Sequence, residues 1–319
     1  MIDDFIFSVN AVFPIFVIIA LGYYLRRKEF LSPRAIGDMN RIIFSFALPA
    51  LLFRNIYHAD FFTLFDIRLF LWISGSTFAV FILTWIIAEL YLRKRPELIG
   101  AFVQAAFRSN YSFVGIPLVA NMMGEAEAGI AALAAAFIVT YNNVLTVIVL
   151  TAKDSKSSGF NLTLFKGILE GIYKTPSIIA IAVVIPINLL GISIPVVARE
   201  SISYMAVLCT PLALLAIGGS IQISEFRGYV KPAIVASALK TAILPLVFVS
   251  ISVWLGFRGE ELAVLFVMLA SPSAIICYVM AVRMNGNGPI SSAIILITTI
   301  CSSVTLTLGI YIMRMLDLI

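Results

Sequence analysis

The chain has 319 residues, of which 61% are hydrophobic and only 12% charged, with a formal net charge of +5. A soluble domain carries about 25% charged residues, and the deficit here runs along the whole length, which excludes a soluble enzyme with a single anchor. The basic residues sit in short clusters between apolar runs, as membrane topology requires, and form no continuous basic face of the kind that binds nucleic acid.

A bilayer core takes roughly 20 apolar residues of helix. Runs of that length occur at 8–25, 36–53, 69–91, 98–120, 129–151, 173–190, 200–221, 232–256, 262–282 and 290–313. The first follows Asp3 and Asp4 rather than a basic segment, so it reads as a retained helix and not a cleaved signal peptide. The second contains FALPALLF (46–53), and the third ends near Glu89. In the fourth, RSNYSFVGIPLV (108–119) places Arg108, Ser109, Asn110, Ser112, Gly115 and Pro117 in the middle of an apolar run. The fifth carries Asn142 and Asn143, adjacent and so pointing in different directions; they either face a cavity or bond between helices. A polar connection, 152–172, then separates residues 1–151 from residues 173–319, with five spans in each. The seventh span contains LCTPLALL (208–215), the eighth Lys240, and the ninth LASPSAIICYVMA (269–281) with Ser271, Pro272 and Ser273.

An odd number of spans per half forces the second half to enter the membrane from the opposite side. Placing the N-terminus outside puts fifteen Lys and Arg in inside segments, among them Arg26, Arg27, Lys28, Arg93, Lys94, Arg95, Lys153, Lys156, Lys166, Lys174 and Arg227. Five fall outside, where the fourth connection carries Glu125 and Glu127, and two, Arg108 and Lys240, lie within spans. That bias predicts both termini outside. FALPALLF aligns with LCTPLALL at an offset of 162, and ELIGAFVQAA (97–106) with ELAVLFVMLA (261–270) at 164. The expected fold is therefore an all-α membrane protein of ten transmembrane helices in two inverted five-helix repeats. Its fourth and ninth helices are broken where they cross at the midplane.

NYSFVGIPLV (110–119) resembles the Asn-x-x-x-x-Gly-Ile-Pro-Leu crossover segment of the auxin efflux carrier family of bacterial and plant transporters. ASPSAIICYVMA (270–281) is similar to the family's second crossover and FALPALLF to its second helix, and the resemblance runs over the whole chain. It implies a fold like that of sodium/bile-acid symporters, with a scaffold of helices 1, 2, 6 and 7 and a transport domain of helices 3–5 and 8–10. It also implies elevator-like alternating access, a homodimer, a bacterial inner-membrane location, and a substrate-binding role for Asn110. The chain differs from plant members at Cys277, where they carry a second crossover proline, and at Leu52, where they carry a serine. It also lacks an acid in the outer half of helix 3 and a long central loop. Auxin itself is therefore not implied as the substrate.

Two bases near the midplane, no central acid, and half-helix N-termini at a crossover favour an anionic solute, a mono- or dicarboxylate. The substrate-binding set expected from the sequence is Asn110, Arg108, Ser109, Ser112, Gly115, Pro117, Ser271, Pro272, Ser273, Asn142 and Asn143. Lys240, with Glu89 as its candidate partner, is either a structural pair or a charge-compensating element of transport. Three cysteines lie inside apolar runs, and His58 is the single histidine, so neither a metal centre nor a multi-histidine enzyme site is expected. No Walker motif, acid cluster or GxSG sequence is present. The expected function is secondary transport of a small organic anion, in contact with membrane lipid and with no cofactor beyond a coupling H+ or Na+. The alternatives are a sodium-coupled symporter or sodium/proton antiporter of the same fold, and a non-transporting receptor or sensor.

Overall fold

The computed structural model describes residues 2–58, 66–124, 128–152, 176–221, 228–284 and 286–319. Twelve helices are named here: α1 Ile2–Arg27, α2 Pro33–His58, α3 Ile67–Tyr91, α4 Pro96–Phe107, α5 Tyr111–Met123, α6 Ala128–Ala152, α7 Pro176–Leu189, α8 Val196–Gly219, α9 Val230–Trp254, α10 Gly259–Ala270, α11 Ile276–Arg283 and α12 Gly288–Met315. Seven of them (α1, α2, α3, α6, α8, α9 and α12) are long and apolar enough to cross a membrane, so the chain is a multi-pass, all-helical membrane protein. The fourth and ninth predicted spans are each split in two, as α4–α5 and α10–α11. The sixth is the shorter α7. The connection 153–172 and the charges Glu125, Glu127, Lys153, Lys156, Lys166, Lys174 and Arg227 lie outside the described residues.

Local chemistry sets the helix starts. Ser32 Oγ accepts from Ala35 N at 3.0 Å with Pro33 following, Asp66 Oδ1 accepts from Arg68 N at 2.7 Å, and Asn287 Oδ1 accepts from Ile290 N at 3.1 Å. Each side-chain oxygen pairs an N–H that the first turn leaves without an acceptor. Prolines set the irregularities. Wide turns at Ile43–Ala47, Tyr111–Gly115 and Leu239–Ile243 each end two residues before a proline: Pro49, Pro117 and Pro245. A proline lacks the N–H and its ring displaces the carbonyl four residues back, so the preceding turn opens to bonds that span five residues. Those bonds are Leu48 N to Ile43 O, Ile116 N to Tyr111 O and Leu244 N to Leu239 O.

α1, α2, α7 and α8 pack on one another, with α1 against α8 and α7 against the C-terminal half of α2. The seam between α1 and α8 is backbone against backbone. A Cβ on Gly22 would overlap the Leu215 carbonyl, and one on Gly218 would overlap the Ile19 carbonyl. Close approach of this kind replaces the hydrophobic driving force that lipid does not supply. α3–α6 and α9–α12 form a second group, joined to the first where α12 meets α1 and α6 meets α2. Large apolar side chains such as Trp254, Val197 and Leu246 point outward, 83%, 80% and 72% exposed, as expected of surfaces that face lipid.

Gly218→Val should therefore lower the thermal midpoint in detergent, at a cost of about 1–3 kcal/mol or more from overpacking. Gly75→Ala, where an added methyl meets nothing within 4 Å, should leave the midpoint unchanged or slightly raised.

Candidate functional site: the crossover of two broken helices

Helix α4 ends at Phe107 and α10 at Ala270, and the two unwound stretches that follow lie side by side. Asn110 N donates to Pro272 O at 2.7 Å and Ala274 N to Arg108 O at 3.1 Å, so Ser109 and Ser273 face each other as an antiparallel bridge. Backbone groups released by the breaks thus satisfy one another rather than face lipid. The two serines add a reciprocal pair of bonds. Ser109 Oγ donates to Met268 O and Ser273 Oγ to Ala105 O, both at 2.5 Å. Each hydroxyl caps the end of the other segment's incoming helix. Ser273 N donates to Thr298 Oγ1 on α12 at 3.1 Å, and Ser271 Oγ folds back on Val267 O at 2.6 Å.

Four half-helix ends meet here. The C-terminal ends of α4 and α10 bear partial negative charge and the N-terminal ends of α5 and α11 partial positive charge. Lys240, on the wide turn of α9, is 2% exposed. Its ammonium donates to Leu269 O at 2.7 Å and to Ser109 Oγ at 2.5 Å, and so neutralises the end of α10. Arg108, 5% exposed, turns towards α6 instead. Its Nη2 donates to Asn143 Oδ1 at 2.8 Å, and its Nη1 reaches Thr146 Oγ1 at 3.4 Å and Met280 Sδ at 3.3 Å. Among the described residues neither cation reaches a carboxylate within ion-pair distance.

The crossover brings together Arg108, Ser109, Asn110, Ser271, Pro272, Ser273, Asn143 and Lys240 from the predicted set. Asn110, 6% exposed, makes no side-chain hydrogen bond among the described residues. Ser112 and Gly115 lie on the wide turn that opens α5, where Gly115 is required because a Cβ would overlap the Tyr111 ring. That turn packs against α8, and Phe113 meets Phe44 of α2 edge-on at 5.3 Å, so the crossover faces the first helix group. Lys240 is not joined to Glu89, whose Oε1 accepts from Trp85 Nε1 one turn back at 2.9 Å. Asn142 lines a cavity of about 20 Å³ with Ser109, Tyr111, Lys240 and Thr77, room for about one water molecule. Asn142 Oδ1 and Tyr111 Oη are buried with no hydrogen-bond partner among the described residues. Thr146, Met280 and Tyr111 also reach the site without standing in the predicted set, and Gln104, within an apolar run, has both side-chain amide atoms buried with no partner among the described residues. A second cavity, about 670 Å³, lies between the ends of α3 and α9 and is lined by Arg93, Lys94, Arg95 and Lys231.

Residues 7–161 and 152–310 match the profile of the membrane transport protein family, the auxin efflux carriers, and the chain belongs to that family. It is 27% identical over 307 residues to an uncharacterized transporter of Methanothermobacter thermautotrophicus, covering 95% of this chain and 98% of the relative. A Rhizobium meliloti protein provisionally named as a malonate transporter is 28% identical over 316 residues, 95% of each chain. The uncharacterized transporter YfdV of Escherichia coli K12 is 23% identical over 319 residues, 98% of this chain and 99% of the relative. The protein is accordingly a membrane transporter and not an enzyme.

The two asparagines separate stability from chemistry. Asn143→Leu removes the acceptor of a buried guanidinium and should cost about 1.5–3 kcal/mol. Asn142→Leu removes an oxygen with no partner and should cost less, or stabilise. Denaturation of the two purified variants in the same detergent checks the order.

Proposed function

We propose that this chain is a secondary transporter of small organic anions, carboxylates above all, which bind at the crossover and cross the membrane by elevator-like alternating access. One observation carries the sign of the solute. The negative helix ends are already capped, α10 by Lys240 and Ser109 and α4 by Ser273. The positive end of α5 keeps the N–H groups of Tyr111, Ser112 and Phe113 with no hydrogen bond among the described residues, whereas Val114 N bonds to Asn110 O and, at the start of α11, Cys277 N bonds to Ala274 O and Tyr278 N to Ile275 O. Half-helix N-termini of this kind hold anionic groups in transporters, and Asn110, at the start of α5, makes no side-chain hydrogen bond among the described residues. Arg108 adds positive potential from behind. The name of the Rhizobium meliloti relative points to the same substrate class.

The architecture proposed with it is ten spans in two inverted repeats, counting α4–α5 and α10–α11 as one broken span each. The packing favours this, because contacts come in matching pairs. α1 on α8 matches α7 on α2, α3 on α4 matches α9 on α10, and α5 on α6 matches α11 on α12. The offset of 164 that aligns Glu97 with Glu261 also pairs Ser109 with Ser273. In this reading α1, α2, α7 and α8 are the scaffold, the remaining helices move, and both termini lie outside the inner membrane. A homodimer through the scaffold completes it.

Malonate flux into proteoliposomes tests the proposal. Asn110→Ala should reduce flux about tenfold or more, the loss of one to two hydrogen bonds to a charged group, while its thermal midpoint stays near that of the wild type. Normal flux through that variant would remove the site from the crossover.

A further inference from the structure

Lys240 occupies a place that chemistry reserves for a mobile cation. In transporters with interrupted helices, the carbonyls at half-helix C-terminal ends coordinate the coupling ion. Here the end of α10 meets an ammonium fixed to α9, with Nζ 2.7 Å from Leu269 O and 2.5 Å from Ser109 Oγ. Two residues that line the same cavity, Asn142 and Tyr111, each hold a buried oxygen, Oδ1 and Oη, with no hydrogen-bond partner among the described residues. The carbonyl and the hydroxyl that Lys240 occupies, with an amide oxygen and a phenol on neighbouring residues, are oxygen donors of the kind a hard monovalent cation takes. An ammonium of the same charge, with two of its three donors on Leu269 O and Ser109 Oγ, leaves a cavity of only about 20 Å³, and a second cation there would face an unscreened like charge.

We infer that the Lys240 ammonium is a tethered replacement for a coupling sodium ion, so that sodium neither binds at the crossover nor drives transport by this chain. The inference rests on the transporter reading above and narrows its coupling. It also gives a reason for a buried lysine with no carboxylate at ion-pair distance among the described residues: the charge belongs to the helix end. Because the cation is covalently held, it travels with the crossover in both directions and carries no ion gradient with it. Lys240→Ala would remove the tether and leave the oxygens, converting the position into a vacant sodium site.

The test uses the full-length protein, purified in potassium chloride, with sodium chloride substituted at equal ionic strength. For the wild type, the thermal midpoint should be the same in the two salts, with or without malonate. Malonate uptake into proteoliposomes should agree within about twofold whether or not an inward sodium gradient is imposed. For Lys240→Ala, sodium but not potassium should raise the midpoint by about 3–5 °C, the size expected of a ligand well above its dissociation constant. Lys240→Met, which fills the space without charge, should show a smaller sodium response or none. Sodium-specific stabilisation of the wild type, or uptake that requires sodium, overturns the inference. So does a folded Lys240→Ala that responds alike to both salts. If the alanine variant does not fold, the wild-type comparison still decides. If malonate is not transported in either salt, the substrate reading fails, whereas the thermal comparison, which needs no substrate, judges Lys240 separately.

Discussion

In hydrocarbon, an unpaired peptide N–H or C=O costs several kcal/mol, and the rest of this structure depends on how that cost is avoided where two helices break. Residues 108–110 and 272–274 exchange backbone hydrogen bonds across the bridge at Ser109 and Ser273. Neither break is tolerable alone, because each supplies the acceptors and donors that the other needs. Two segments more than 160 residues apart are thereby locked together, and the serines tie each incoming helix end to the opposite strand of the crossing.

That pairing fixes the electrostatics. Four helix ends converge, and the chain treats them unequally: negative ends are closed by a lysine and two serine hydroxyls, while the positive end of α5, beside α2 and α8, keeps N–H groups at Tyr111, Ser112 and Phe113 with no partner among the described residues. Arg108 follows the same economy of position. Its backbone carbonyl serves the crossing and its guanidinium is anchored on α6 through Asn143 and Thr146. The result is a polar core inside a bundle whose outer surface is apolar, held by bonds that cross between helices rather than run along them. Prolines contribute indirectly, since Pro117 and Pro245 open the turns that carry Tyr111–Gly115 and Lys240 to the centre.

The breaks were legible because polar residues interrupted apolar runs at matching places: Arg108 to Pro117 in one half, Ser271 to Ser273 in the other. Seven long helices were legible from apolar length. What the sequence did not disclose was the partner of Lys240. A carboxylate such as Glu89 is visible in a sequence, whereas a backbone carbonyl such as Leu269 O becomes an acceptor only when its helix ends there. The bond from Arg108 to Asn143 was hidden for a related reason. It spans separate helices, and adjacent asparagines read alike until packing assigns one to the guanidinium and the other to the cavity. Tyr111 and Gln104 were passed over because a tyrosine or glutamine within an apolar stretch reads as packing until its polar atoms are found without partners.

The central claim is that an anionic solute sits at the open helix end of the crossover. The most direct measurement is to locate bromomalonate in crystals of the protein by the anomalous scattering of bromine. The account predicts a peak beside Asn110, between the crossover and the α2–α8 face. A peak confined to the basic cavity lined by Arg93, Lys94, Arg95 and Lys231, with the crossover empty, would contradict it.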